Sequence, residues 1–528
     1  MKIKSYNLKK FANLLEQLLF TYSTNRKIEI LATYLKSLDY KEKGITIAVL
    51  TGNLNFKNIK RSNILNIIKS KLDWYLFEQS YDYVGDLAET IALIWPSNGN
   101  SKQKDLNKIV YDLKNSKSIN NTIIEYLNSF SSKERWAFIK FILGGLRIGF
   151  STSLVKKSLA KYGNKQLYKI ENIWNGLEYP YENLFLWLEN KGSYPSIDAS
   201  KTFNSFMLAT SFDEELIEDV KSSNDYYFEY KWDGIRVQLV AKNGSTTIFS
   251  RSGEDISNSF PEIKINCTEL LVLDGEMLVG QNYSPLPFNQ LQKRINKKKP
   301  SKKLLSELPA FVKVYDILYC NGKDIRNRTL YDRRKKLEEW FLNNSNTNLN
   351  ISELINFKTD NELKKVYQKF SYIEGIMIKK KLSFYLSGRK KGYWFKWKKD
   401  PKYIDTILMY AQRGHGKRSS FYSDYTLGIW SKNTVIPIAK AYSGYTDDEL
   451  NKIDRFIRKN TIAKYGPVRE VKKSLVIELA FDSAQISSRH KSGIALRFPR
   501  VSRIRWDKPV NDVQSIEEIK KELSIYHS

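Results

Sequence analysis

The feature that most limits what this chain can fold into is a change in the period of its hydrophobic pattern. Up to about residue 200 the spacing is helical. Phe11, Leu14, Leu15, Leu18, Leu19 and Tyr22 recur on one stripe, and Trp136, Ile139, Lys140 and Leu143 continue the style before a break at Gly144-Gly145. From about 201 the alternation of strands takes over: "RVQLVAKNGSTTIFS" turns at Asn243-Gly244, "ELLVLDGEMLVG" is a further strand, and helical segments such as "RTLYDRRKKLEEWFL" intervene. Near Asp400-Pro401 the pattern restarts with "IDTILMYAQ", "YTLGIWSKNTVIPIAKAYSG" and "LVIELAFDSAQI". These surround one helix, which opens with a capping box from Thr446 to Glu449. About five strands around one helix fit a small barrel such as an OB-fold. The expected architecture is multidomain α and α+β: helical over 1–200, α+β over 201–400 and a β-barrel over 401–528.

A chain of 528 residues exceeds what one core organises, and its 33 Tyr, 26 Phe and 11 Trp suffice to fill several. Two cysteines, Cys267 and Cys320, supply neither a disulfide framework nor a four-cysteine zinc site. Three histidines, His415, His490 and His527, give little material for histidine-based chemistry or a histidine metal cluster. No apolar run approaches bilayer length, and "MKIKSYNLKKFANLL" is amphipathic without a signal-peptide core, so the cytoplasm is the expected location. The asparagine-rich "NNSNTNLN" at 343–350 is expected to be a surface loop.

Lys and Arg outnumber Asp and Glu by 87 to 57, a net charge of +30. That surplus favours a polyanionic partner through counterion release and steering, nucleic acid first, although a lysine- and asparagine-rich habit would coat any surface the same way. "ILGGLRIGFSTSLVKKSLAKYG" places glycines beside Arg147 and offers Ser151, Thr152 and Ser153 as caps for a helix carrying Lys156 and Lys157. Such a helix start can hold a phosphate; an ordinary helical hairpin with solvated lysines has the same pattern.

Several strands carry charge where apolar side chains belong. In "FEYKWDGIRVQL", 228–239, alternation sets Lys231, Asp233, Ile235, Val237 and Leu239 on one face of an extended run. An amine aimed inward beside a carboxylate is either a structural ion pair or a nucleophile. In "YWFKWKKD", 393–400, Phe395 and Trp397 share one face while Lys396 and Lys398 project from the other. Asp274 and Glu276 share a face in "LDGE", and Glu374 opens "EGIMIKK". Fixed charges of both signs on several strands suit a phosphate ester and its metal; each motif alone is equally a solvated or paired charge.

The ordered series "EYKWDGIR", "SRSGED", "LDGE", "VYDIL", "EGIMIK", "WFKWK" and "RWDK" resembles the motif series of ATP-dependent DNA ligases, covalent nucleotidyltransferases related to RNA ligases and mRNA capping enzymes. "AQRGHGKR", "AKAYSG" and "SRHKSGIALRFPR" resemble a bacterial three-domain branch of that family. The likeness spans nearly the whole chain, most strongly from about 200 onward.

The resemblance implies nick sealing in duplex DNA during replication, repair or recombination. Lys231 would attack the α-phosphorus of ATP, the adenylate would pass to a DNA 5′-phosphate, and a 3′-hydroxyl would displace AMP. Lys396 and Lys398 would favour the neutral lysine amine and neutralise the α-phosphate, Glu374 would hold Mg²⁺, and Asp233 would orient. Glu229 would accept from the adenine amino group, Tyr315 would stack on the base, Glu276 would bind ribose, and Arg236 and Arg251 would contact ribose or phosphate. Where relatives commonly have Arg, six residues before the first lysine of "KWK", this chain has Lys390 with Arg389 beside it, and lysine lacks the bidentate phosphate contact. Arg505, Asp507 and Lys508 would orient the departing pyrophosphate. The three domains would encircle nicked duplex as a monomer, with a hinge at Asp400-Pro401 and contacts mostly to phosphates. Too few cysteines for the zinc module of NAD-dependent relatives favours ATP as donor. An RNA ligase or guanylyltransferase, and an idle DNA-binding scaffold, are the competing readings.

Overall fold

The computed structural model describes residues 8–522 except 55, 57, 85, 97–103, 213–223, 296, 345–347, 358, 360–361, 364, 367–372, 399, 414–420, 466–467 and 488–489. His415 and His527, the centre of the asparagine-rich stretch, most of "AQRGHGKR" and the first two residues of "SRHKSGIALRFPR" lie outside the described residues.

Helices fill the N-terminal third. In α1 (Leu8–Phe20) the i, i+3, i+4, i+7 stripe of Phe11, Leu14, Leu15 and Leu18 is buried, with the Phe11 ring edge-on to Phe141 at 6.1 Å. Leu19 and Tyr22, expected on that stripe, are exposed: Leu19 lies within α1 but off its buried face, and Tyr22 falls in the loop after α1 ends at Phe20. α2 (Tyr40–Leu50) opens with a capping box from Asp39 to Glu42, and α3 (Ser132–Leu143) with one from Ser131 to Glu134. α3 stops at Gly144, whose φ of 68° favours glycine. Ser151 precedes α4 (Thr152–Gly163), but its side chain makes no capping bond. Of the adjacent Lys156 and Lys157 on α4, Lys157 is exposed and Lys156 is buried over the Trp174 ring at 5.4 Å. One apolar core runs from Leu8 to Leu188, the end of α5 (Glu182–Leu188).

The middle of the chain is built mainly on two sheets. β1 (Tyr226–Trp232), β6 (Ile373–Lys380) and β7 (Trp394–Lys398) belong to a four-stranded sheet. β2 (Ile235–Lys242), β3 (Ser245–Ser250), β4 (Leu271–Val279) and β5 (Ala310–Cys320) belong to a six-stranded one. The Asn243-Gly244 hairpin joins β2 to β3, both turn residues having positive φ. The helix predicted in "RTLYDRRKKLEEWFL" is α6 (Leu330–Asn343), anchored on β5 by the fully buried Arg333–Asp316 pair at 2.8 Å.

One expectation is corrected here. "FEYKWDGIRVQL" is not one extended run: it breaks at Asp233-Gly234, and β1 and β2 go to different sheets. A Cβ on Gly234 would lie 2.4 Å from the Met277 carbonyl oxygen, so only glycine lets the chain cross over this tightly. Lys231 and Ile235 therefore do not share a face.

The last third is a curled sheet, the expected OB-fold. β8 (Lys402–Arg413) pairs along one side with β9 (Tyr422–Ser431), itself followed by β10 (Thr434–Ala441). Its other side pairs with β12 (Val468–Val471), neighbour of β11 (Thr461–Tyr465), and with β13 (Val476–Phe481). α7 (Asp447–Asn460) carries the predicted Thr446–Glu449 capping box and packs Leu450, Ile453 and Ile457 into the barrel core. β14 (Ser483–Ile486) and β15 (Ile494–Arg497) form a hairpin, and β16 (Arg500–Arg505) returns to β13. Among the described residues no helix is long and apolar enough to cross a membrane.

Candidate active site

Lys231 stands at the penultimate position of β1, opposite Gly375 of β6, where a register shift between Ile373 and Gly375 turns Glu374 towards it. The Lys231 ammonium donates to Glu374 Oε2, both side chains being about one-fifth exposed. Glu374 Oε1 accepts from Arg497 of β15 at 2.9 Å, and Arg497 also donates to Asp233 Oδ2. Burial opposes ionisation of Glu374, but Lys231, Arg497 and Lys398 outweigh it and hold its carboxyl below its usual value. Asp233 goes the other way: burial and the neighbouring Glu374 charge raise it despite Arg497. Its second oxygen is buried without a hydrogen-bond partner.

Lys398 and Lys396 of β7 face Gly375 and Met377 across the same sheet. Phe395 and Trp397 pack into the cluster of Phe228, Ile376 and Ile378, leaving the lysines to the other face as expected. Lys396 is pushed down by burial and by Lys398, Arg389, Lys231 and Arg251. Lys398 lies 3.5 Å from Asp482 of the barrel domain.

Two residues before Lys231, Glu229 lies in a buried group with Lys379, Tyr315 and Trp394. Glu229 is buried and accepts from Lys379 at 3.0 Å; Lys379 also sits 4.2 Å from the Tyr315 ring centre and 4.5 Å from that of Trp394. Burial raises Glu229 against the pull of Lys379. Glu276 of β4 is pushed up to about 8 by burial, with Lys231 and Arg236 acting against the shift. Arg236 donates to both oxygens of Asp274 at 3.1 and 2.7 Å and to the Met207 carbonyl at 2.7 Å, over the Phe206 ring at 4.4 Å. Tyr385 completes this group through a 2.7 Å bond to Asp274.

The remaining predicted residues are distributed unevenly. Arg251 is exposed on the turn after β3 and lines a cleft of about 1440 Å³ shared with Ser151, Lys156 and Trp174 of the helical third. Arg389 and Lys390 are both exposed, but Arg389 is one of the cations acting on Lys396. Arg505, Asp507 and Lys508 are not brought to Lys231: Arg505 bonds Asp507 at 3.0 Å, and Lys508 bonds Asp405 at 2.7 Å, all within the barrel domain. The barrel presents Arg497 and Asp482 to the site instead. Sequence reasoning did not single out Arg497, Lys379 or Asp482. The signal for the first two was present, an arginine in "LRFPR" and a lysine inside the apolar "EGIMIKK", but their partners are 123 and 150 residues away.

The donor set suits Mg²⁺, which takes one or two carboxylates and completes its shell with water and substrate phosphates. Glu374 and the unpartnered oxygen of Asp233 are hard oxygen donors, with Lys396 and Lys398 on the strand next to that of Glu374. Among the described residues no three His, Cys, Asp or Glu side chains gather into an all-protein cage.

A strand-end lysine paired with Glu374, two further lysines across the same sheet and Arg497 reaching in from the barrel fit a covalent nucleotidyltransferase. Three family models match in order: DNA ligase N terminus over 7–160, ATP dependent DNA ligase domain over 206–398, and ATP dependent DNA ligase C terminal region over 418–508. A probable DNA ligase of Koribacter versatilis (strain Ellin345) is 28% identical over 97% of this chain and 95% of its own length. A DNA ligase of Methanococcus aeolicus is 30% identical over 71% of this chain and 68% of its own length. The solved structure Pmar-Lig_PreS3, 17% identical, shares the fold over 94% of this chain and 99% of its own, with a TM-score of 0.55. The chain belongs to the ATP-dependent DNA ligase family. Members use ATP and Mg²⁺ and form phosphodiester bonds at nicks through an adenylated intermediate.

Proposed function

We propose that Lys231 is the nucleophile with which this chain joins nicked duplex DNA. The observation that carries the reading is the placement of Lys231 against Glu374, with Lys396 and Lys398 on the adjoining strand. Lys231 Nζ forms a bond to the α-phosphorus of ATP, pyrophosphate leaves and the amine gives up a proton. The AMP passes to the 5′-phosphate, and the 3′-hydroxyl displaces it. Lys396 and Lys398 neutralise the α-phosphate as its charge develops. Glu374, with Asp233, would hold Mg²⁺, which would polarise the phosphate oxygens. Glu229 accepts from the adenine amino group, Tyr315 stacks on the base, Glu276 binds ribose hydroxyls, and Arg251 meets phosphate. Arg236, its guanidinium held by Asp274, contacts ribose or phosphate.

The helical residues 1–200 bind DNA, 201–400 carry adenylation and 401–528 form the mobile barrel; together they encircle the nick as a monomer. Arg505, Asp507 and Lys508 serve the pyrophosphate once the barrel turns them to the ATP site about the hinge near residues 400–401. The free cysteines fit a reducing cytoplasm.

Incubation with Mg²⁺ and α-labelled ATP, beside GTP and NAD controls and Lys231→Ala, tests the reading. Expected is label from ATP alone that chases into a sealed nick and is absent from the variant. Undiminished labelling of Lys231→Ala sinks it, as does failure of freshly purified, unadenylated protein to label.

A further inference from the structure

Asp405 lies on β8, two strands from the end of β16, and belongs to none of the motifs that suggested the family. Its Oδ2 accepts from Lys508 Nζ at 2.7 Å and lies 3.8 Å from Arg505, while its Oδ1 is buried and meets no hydrogen-bond donor. Both basic residues of the terminal motif thus converge on one carboxylate that is only 14% exposed. Asp507 takes the other side of Arg505 at 3.0 Å. Two acids and two bases balance, so the group can lie half-buried without self-repulsion.

A free lysine side chain gives up rotamer entropy when it is fixed. Lys508 has already given it up, because Asp405 holds one ammonium hydrogen and leaves others for phosphate oxygens. Asp405 and its two partners all belong to the barrel, so the arrangement travels with any rotation of that domain.

We infer that Asp405 is a positioning residue for the first chemical step, ordering Lys508 and Arg505 so that they meet the departing pyrophosphate without rearrangement. This rests on the reading above that the terminal motif serves pyrophosphate. In that step the Lys231 nitrogen forms a bond to the α-phosphorus, the bond to the bridging oxygen breaks with its electron pair on pyrophosphate, and the nitrogen loses a proton to water. Asp405 touches none of these atoms and acts through Lys508 and Arg505.

The test separates the first step from the last in the full-length chain. Single-turnover labelling by α-labelled ATP is measured beside sealing of a nick that already carries its 5′-adenylate, for Asp405→Asn, Asp405→Glu, Lys508→Ala and the Asp405→Asn/Lys508→Ala pair. Asp405→Asn is expected to label about tenfold more slowly and to seal the pre-adenylated nick within about twofold of the parent. Asp405→Glu is slowed less, and the double variant is no slower than Lys508→Ala alone. Equal losses in both assays, or labelling of Asp405→Asn at the parent rate, overturn the proposal. Slow Lys508→Ala with normal Asp405→Asn overturns it alone; unimpaired labelling by Lys508→Ala overturns the terminal-motif reading with it. If Asp405→Asn does not fold, Asp405→Glu decides, since it keeps the charge and displaces it. Slower labelling with sealing unchanged supports the assignment, and the parent's labelling rate defeats it.

Discussion

Glu189 in the helical third and Glu276 near Lys231 and Arg236 are pushed in opposite directions by opposite kinds of surroundings. Glu189 accepts from Lys43 at 2.6 Å, Tyr162 at 2.6 Å, Lys191 at 2.7 Å and Tyr40 at 2.9 Å. Burial works against its charge, but those bonds outweigh it and hold the carboxyl down at about 2. Glu276 has no hydrogen bond from the described residues, and burial drives it to about 8. One carboxylate is saturated by the fold. The other is left with acceptor capacity for something the fold does not supply, which is the electrostatic mark of a site.

The sharpest test of that contrast sets chemistry against stability. Lys231→Ala is expected to lower lysyl-AMP formation by at least about 10⁴-fold, the scale for loss of a covalent nucleophile. Its urea midpoint should move little, because Arg497 still pairs with Glu374. A large loss of stability with residual labelling would reverse the assignment of the two regions.

Glu189→Gln is the mirror experiment. It strips charge from a carboxylate shared by two lysines and two tyrosines, and a loss of about 2–4 kcal/mol in urea unfolding is expected. ATP labelling of the folded fraction should be unchanged. The pH dependence has a definite sign. Glu189 lies below its ordinary 4.5, so its stabilisation is present above about 4.5 and lost as pH falls through about 2. The variant should lack that acid-side decline.

Which parts of this contrast were legible beforehand follows from how far each interaction reaches along the chain. Phe11, Leu15 and Leu18 announce their helix because their neighbours are three and four residues away. The lysines of "WFKWK" announce their face because strand alternation is local. The same alternation misleads at Asp233-Gly234, where nothing within the run reports that a carbonyl 43 residues on, at Met277, crowds the glycine and sends the chain to a second sheet. Arg497 was invisible for a related reason. It reaches Asp233 across 264 residues and one domain boundary, and an arginine in a basic chain looks like any other until its partner is known. Conversely, Arg505, Asp507 and Lys508 were recognisable by motif, but a motif does not say which way its domain faces.

Glu276→Gln sharpens the comparison from the other side, with a smaller effect. A carboxyl raised above its ordinary value stabilises the fold at low pH, and that contribution is lost as pH rises through about 8. The parent should therefore weaken between pH 5 and 8.5 by on the order of 2 kcal/mol after allowance for solvent reaching the carboxyl. Glutamine, neutral throughout, should flatten that slope. An unchanged slope would mean that Glu276 is not the group strained by burial.

The smallest effect concerns Arg389 and Lys390. Arg389 lies in a short strand paired with residues 207–208 and contributes to the positive field on Lys396, whereas Lys390 is exposed beyond that strand. A planar guanidinium can take two phosphate oxygens at once, and a lysine ammonium cannot. Arg389→Ala should then raise the ATP concentration needed for half-maximal labelling about tenfold, near 1.4 kcal/mol, and Lys390→Ala by less than about twofold. Raising salt should shrink the Arg389 effect only slightly if the contact is bidentate, and strongly if the side chain merely adds to the field. The opposite ranking of the two variants would assign the phosphate to Lys390, and the site would then hold ATP there by a point charge in place of a fork.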